Sequence, residues 1–300
     1  MWGLVDMKFT KLLTAKRVLL QGLASILSNL NLKNFLTGQI YTGKTKAFCL
    51  PGLNCYSCPG AAGSCPIGAL QSVLGSSKFK FSYYVVGILI FFSVTLARFI
   101  CGFMCPFGLF QELLYKIPSK KFSTARLKIL TYLKYIILLV MVIALPLLIT
   151  NSLGMGNPYF CKYLCPQGVL EGAIPLSILN PSIRAGLGKL FNLKFMILLV
   201  TILLSILTFR PFCKWICPLG AIYGLFNKIA LVNLNFDRDK CISCGKCKKA
   251  CKMDIDVRED QNSPECIRCG MCIDSCPVDA LCYNCDLVKK KEKEIIKEQI

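Results

Sequence analysis

A mainly α-helical membrane protein, with about four transmembrane helices, short helices opened by Cys-Pro steps and a small α+β domain near the C-terminal end, is the fold class the sequence predicts. Three observations predict it. Of the 300 residues, 54% are apolar and the mean hydropathy is positive, which is too oily for a water-facing surface. Four long apolar runs follow one another through the chain. Twenty cysteines are grouped instead of scattered, most densely between residues 233 and 285.

The apolar runs cover residues 18–32, 81–99, 129–149 and 190–209. A hydrocarbon core of roughly 30 Å asks for about 20 helical residues, so the third and fourth runs suffice only if Lys134 and Lys194 snorkel toward the headgroups. The first run is the most polar, with Gln21, Asn29 and Asn31. Its basic lead, Lys8, Lys11, Lys16 and Arg17, is followed by no clear small-residue cleavage site, and it reads as an uncleaved signal anchor. Loop charges divide almost evenly between the two sides, so they orient the chain weakly. Four spans put both termini on one side, and a cysteine-dense domain that needs reducing conditions makes that side the cytoplasm. The expected organisation is a cytoplasmic segment 1–15, a membrane domain 16–232, a cysteine-rich domain 233–285 and a charged tail 286–300, which reads as solvated helix or frayed end.

Lys and Arg number 36 against 16 acidic residues, a net charge of +20. The basic residues sit between apolar runs and form no single stripe, which argues against nucleic acid and for anionic lipid or a negatively charged prosthetic group. Histidine is absent, which removes bis-His haem, Rieske centres, His-ligated zinc or copper, and Ser-His or Cys-His pairs. No ionisable residue lies in the middle of a clear apolar run except Lys134, near one end, which is too little for a proton relay or ion pathway. No Walker loop, dinucleotide fingerprint or flavin-attachment signal occurs. Cysteine chemistry remains.

Cys241, Cys244, Cys247 and Cys251 follow C-x2-C-x2-C-x3-C, and Cys266, Cys269, Cys272 and Cys276 repeat it, closing on Pro277. Zinc prefers two separated cysteine pairs, and disulfides do not easily join thiols this close in a reducing compartment. The segment closely resembles the bacterial two-cluster ferredoxin family. That resemblance implies one [4Fe-4S] cluster on Cys241, Cys244, Cys247 and Cys276 and another on Cys266, Cys269, Cys272 and Cys251, each copy lending its fourth cysteine to the other. Lys252 stands where that family usually has proline, a positive charge that would raise the potential of the nearby cluster. Cys282 and Cys285, beyond the motif, read as packing thiols.

Three further pairs have the form C-x3-C-P: Cys101/Cys105, Cys161/Cys165 and Cys213/Cys217. Proline suits the first position of a helix, so the cysteine before it becomes an N-cap, where the helix dipole favours thiolate. Residues 101–117 align with 213–229, and Cys65-Pro66-Ile67-Gly68 resembles Cys165-Pro166-Gln167-Gly168. The membrane part therefore reads as two copies of one unit. Two-fold pseudo-symmetry gathers Cys101, Cys105, Cys213 and Cys217 as an inner quartet, and groups Cys58 and Cys65 with Cys161 and Cys165 as an outer one. Cys55 is a substitute ligand and Cys49 a spare. Each quartet would hold a further [4Fe-4S] cluster; the alternatives are buried thiols or a redox pair for the inner set and disulfides for the outer.

Cys-Pro helix pairs followed by a two-cluster domain resemble the NapH-type membrane polyferredoxins, over roughly residues 16–280. That family includes a quinol dehydrogenase subunit of periplasmic nitrate reductase systems and has relatives in nitrous oxide reductase and cytochrome oxidase maturation. Cys101/Cys105 and Cys213/Cys217 match its two cytoplasmic-side pairs. Cys55, Cys58, Cys65 and Cys161/Cys165 exceed the simplest pattern, so the nitrate-reductase role does not transfer automatically. The expectation is a multi-pass electron conduit of the cell membrane with no bond-making chemistry on a soluble substrate, possible action as a quinol dehydrogenase apart. It links a cytoplasmic carrier such as a ferredoxin or flavodoxin to quinone or an extracytoplasmic acceptor. The alternatives are a maturation factor that supplies electrons for metal-centre assembly in a partner enzyme, and a redox sensor, for which no signalling domain is present.

Overall fold

The structure, a computed structural model, describes residues 10–76, 82–152 and 154–283. Lys8, Lys78, Lys80, Cys285 and the tail 286–300 lie outside the described residues.

Helix α1 (Arg17–Ser28) buries Arg17, Gln21 and Ser28, while Leu19, Leu23, Ile26 and Leu27 are half or more exposed. After it come α2 (Pro66–Gly75), α3 (Tyr83–Thr95), α4 (Phe99–Phe103) and α5 (Pro106–Tyr115). The long α6 (Ala125–Leu148) precedes α7 (Phe160–Leu164) and α8 (Val169–Leu179). The helical part closes with α9 (Lys189–Leu207), α10 (Pro211–Trp215) and α11 (Pro218–Leu225). On α9, Thr201 and Ser205 are buried with their hydroxyls bonded to carbonyls one turn back. Met196, Val200 and Leu203 face outward. Helix α9 thus keeps hydroxyls inside and presents an apolar face outward.

Among the described residues, α6 with 24 residues and α9 with 19 are long and apolar enough to cross a membrane. Helices α1 and α3 have 12 and 13 residues, which at ~1.5 Å per residue gives about 18–20 Å, short of the hydrocarbon thickness. The runs 18–32 and 81–99 thus form shorter helices than their composition suggests. Helix α1 stops at Asn29, whose amide turns back to the Ser25 carbonyl at 3.2 Å. Helix α3 stops before Ala97, which takes φ 46° and swings Arg98 into the interior.

The two span lysines do not snorkel. Lys134 is fully buried and ion-paired with Glu265, and Lys194 donates to the Cys161 carbonyl at 3.1 Å. Each finds an oxygen within the protein.

The cysteine-rich domain is small and α+β, as expected. Strand β1 (Leu234–Phe236) pairs antiparallel with β2 (Leu281–Tyr283), Leu234 opposite Tyr283, over a core of Leu234, Val257, Ile273 and Leu281. It packs on the helical part through Met253 and Ile267, which are buried in one cluster with the helices, and through polar contacts. Lys214 pairs with Asp254 at 2.9 Å, the Asn227 amide donates to the Ser263 and Cys266 carbonyls at 2.6 and 2.8 Å, and the Lys252 ammonium lies over the rings of Tyr115 and Phe209.

Candidate metal centres

The two copies of the cysteine motif bend alike. Ser243, Gly245 and Asp254 have positive φ (53°, 69° and 59°), and so do Arg268, Gly270 and Asp279 at the matching positions (51°, 80° and 52°). The Ser243 N–H donates to Cys241 Sγ at 3.4 Å and the Ala280 N–H to Cys276 Sγ at 3.3 Å. Cys241, Cys244, Cys247 and Cys276 line one cavity. Cys251 lies near the other three: burial first, then the charges of Cys266, Cys269 and Cys251, raises the Cys272 thiol. Thiols ringed by amide donors suit a cluster whose sulfurs carry negative charge.

Next to this domain, two helical hairpins bring together Cys101 and Cys213, in α4 and α10, with Cys105 and Cys217, the N-caps of α5 and α11. All four are buried. Burial, then the charges of Cys213 and Cys101, pushes the Cys105 thiol up to about 12, so a cluster binding there would displace protons. Donors for thiolates are in place: Gln111 Nε2 reaches Cys213 Sγ at 3.1 Å and the Gly220 N–H reaches Cys217 Sγ at 3.4 Å.

Two arginines that the cysteine spacing does not single out complete this inner cage. Arg98 donates to the Cys213 carbonyl at 3.0 Å, and Arg210 donates to the Cys101 carbonyl. Each stands shortly before its own cysteine and clasps the other copy's. Glycines make the room: a Cβ on Gly108 would lie 2.9 Å from Arg210 Nη1, and one on Gly220 3.0 Å from Arg98 Nη2. The repeat alignment beginning at Cys101 and Cys213 stops just short of these arginines; carried upstream, it would show Arg in both copies.

Tyr223, fully buried, joins the inner cage to a second one. Its phenol donates to the Pro51 carbonyl at 2.8 Å. Burial, then the charges of Cys101, Cys65, Cys105 and Cys217, raises it well above its usual range, so cysteines of both cages are its neighbours. Beyond it, Cys55, Cys65, Cys161 and Cys165 line a cavity of about 280 Å³. Cys58, grouped with the outer set on sequence, does not line it; its thiol donates to the Glu171 carbonyl at 3.2 Å. Cys49 is buried apart, bridged to Ser64.

Among the described residues, no three Cys, Asp or Glu side chains close on one point as a single ion requires. Cys241, Cys244, Cys247 and Cys276, and likewise Cys55, Cys65, Cys161 and Cys165, line cavities instead, an arrangement that suits a cubane with a thiolate at each corner.

The comparisons with known proteins agree with this chemistry. A 4Fe-4S binding domain model matches residues 82–124, 136–174 and 193–237, and a 4Fe-4S dicluster domain model matches residues 233–277. An uncharacterized protein of Methanocaldococcus jannaschii is 30% identical over 213 residues, 68% of this chain and 79% of that one. The methylamine utilization ferredoxin-type protein MauN of Paracoccus denitrificans is 29% identical, over 61% of this chain and 55% of its own length. The ferredoxin-type protein NapH of Haemophilus influenzae is 25% identical, over 55% and 50%. The chain thus spans about half the length of the latter two. No solved structure matches.

Proposed function

Since the chain belongs to the family of ferredoxin-type electron-transport proteins with 4Fe-4S binding domains, we propose that it is a multi-pass protein of the cell membrane that conducts electrons between a cytoplasmic carrier and quinone or an extracytoplasmic acceptor. In this reading the chain crosses four times, with α1 and α3 lengthened by neighbouring residues or matched by local thinning, and both termini are cytoplasmic. Cys241, Cys244, Cys247 and Cys276 hold one [4Fe-4S] cluster of the C-terminal domain and Cys266, Cys269, Cys272 and Cys251 the other. Cys101, Cys105, Cys213 and Cys217 hold a third. Such clusters, when bound, supply one-electron transfer.

One observation carries this reading. Gly102, beside Cys101, is pressed against Ile267, beside Cys266: a Cβ on Gly102 would lie 2.5 Å from the Ile267 carbonyl oxygen. The two cages therefore abut, and electron transfer rates fall steeply with distance. At the other end of the domain, Cys244 is exposed next to Lys246, Lys248 and Lys249, a positive surface that would attract an acidic ferredoxin or flavodoxin.

The test is reduction in membrane vesicles under anaerobic conditions. Cluster bleaching on adding a quinol or a reduced low-potential carrier is the expected result. No reduction by any such donor would overturn the conduit. A deletion strain with a partner enzyme present but lacking its metal would move the assignment to the maturation role.

A further inference from the structure

We infer that Cys55, Cys65, Cys161 and Cys165 hold a [4Fe-4S] cluster of their own, with Cys55 in the place that sequence spacing gives to Cys58. Cys55 and Cys65 lie outside every residue range that the 4Fe-4S domain models match. The conduit reading says what this cluster is for; the case for its presence is geometric and stands separately.

The outer cage repeats the fittings of the inner one. In the inner cage, Gln111 accepts from the Phe212 N–H at 3.1 Å and donates to Cys213 Sγ at 3.1 Å. In the outer cage, Gln71 accepts from the Phe160 N–H at 3.0 Å and donates to Cys161 Sγ at 3.1 Å. Gln71 stands as far after Cys65 as Gln111 does after Cys105. Arg98 holds the carbonyl of Cys213, and Lys194 likewise holds that of Cys161. Cys65 caps α2 as Cys105 caps α5.

The ligand choice follows from Glu171. Its carboxylate accepts from the Cys55 N–H at 3.0 Å and its carbonyl accepts from the Cys58 thiol at 3.2 Å. One residue thus fixes the loop with Cys55 facing the cavity and Cys58 turned aside. Gly168 keeps the opening clear: a Cβ there would lie 3.3 Å from Cys55 Sγ and 3.4 Å from Lys194 Nζ. A four-thiolate zinc site is the natural competitor, but zinc draws its sulfurs to about 2.3 Å from one centre. These thiols share the lining of a cavity of about 280 Å³ with Gln167 and Lys194, and no three of them converge on a point, as also holds for the C-terminal cysteine motifs.

The experiment is iron and acid-labile sulfide analysis of the anaerobically purified full chain, with EPR of the reduced protein. Cys55→Ala and Cys165→Ala should each contain about four irons fewer per chain than wild type and lack one EPR signal, while Cys58→Ala and Cys49→Ala retain the full set. The signals of the C-terminal domain serve as an internal control for folding. Cys55→Ser, which keeps a donor atom and nearly the same volume, should retain those signals and shift or lose only the outer one. Unchanged iron in Cys55→Ala, a loss of four irons in Cys58→Ala, or zinc or disulfides in place of iron in the wild type would overturn the assignment. These outcomes concern cluster content, so they are distinct from a failure of the other clusters to accept electrons.

Discussion

Arg98 of the helical part holds Glu265 of the C-terminal domain in a 3.1 Å ion pair, and the same carboxylate accepts from Lys134. Both cations are fully buried, and the Glu265 side chain is 19% exposed. Removing the carboxylate strands two buried charges, and breaking a buried pair costs about 3–5 kcal/mol. Glu265→Ala should therefore lower the thermal midpoint in detergent and expose the domain to protease; melting and digestion like wild type would refute this clasp. The pH dependence has a definite sign. Burial would raise the Glu265 carboxyl, but Arg98 and Lys134 outweigh it and hold it below the usual range. Its contribution is thus complete above the unfolded value of about 4.3 and is lost as the pH falls through the lower folded one. Glu265→Gln should abolish that acid-side dependence.

A second test of the same interface uses bulk instead of charge. Gly102 faces the Ile267 carbonyl, a backbone atom that cannot swing away, whereas a Cβ on Gly22 would meet nothing within 4 Å. Gly102→Ala should loosen the C-terminal domain, read as faster amide hydrogen exchange across residues 264–272. Gly22→Ala, inside α1, should be neutral or stabilise by up to ~1 kcal/mol through helix propensity. Equal effects would show that the contact is not tight.

How much of this was legible beforehand depended on distance along the chain. The cysteines from Cys241 to Cys276 announce their chemistry because most cysteines of each proposed set lie within one short loop. The inner quartet is visible through the repeated C-x3-C-P. The exchange of Cys58 for Cys55 is not, because Glu171 makes the choice from far away in sequence, with one backbone and one side-chain oxygen. Likewise, apolar composition could not reveal that α3 ends at Thr95, just before the turn at Ala97. That reversal exists because Arg98 has partners at Cys213 and Glu265, which no local pattern encodes.

The reciprocal arginines make the two halves of the repeat experimentally distinguishable. Arg98 leads to Glu265 in the C-terminal domain, whereas Arg210 leads to Glu112, which also binds Arg17 of α1 at 2.7 Å. Gly220→Ala would crowd Arg98 and Gly108→Ala would crowd Arg210. Both should destabilise by about 1–3 kcal/mol, as overpacking a close-packed site does. Only Gly220→Ala should release the C-terminal domain to protease, while Gly108→Ala should raise exchange in α1. The opposite assignment, or identical patterns, would rule out the division of labour.

Gln111 and Gln71 offer a readout in potential. Each presents an amide N–H to a cysteine sulfur at 3.1 Å, and a hydrogen bond to sulfur stabilises the more negative, reduced form of a cluster over the oxidised one. For a one-electron couple, about 60 mV accompanies each ~1.4 kcal/mol of that preference. Gln111→Leu should therefore move the inner centre to lower potential by several tens of millivolts, and Gln71→Leu should do the same to the outer centre alone. Each substitution also leaves the Phe212 or Phe160 N–H without its acceptor, which costs about 1–3 kcal/mol of stability. Instability by itself would broaden or bleach signals without displacing one midpoint selectively. An EPR-monitored redox titration separates the two effects, and a titration in which neither substitution displaces its own centre's midpoint would remove the glutamines from any role in tuning.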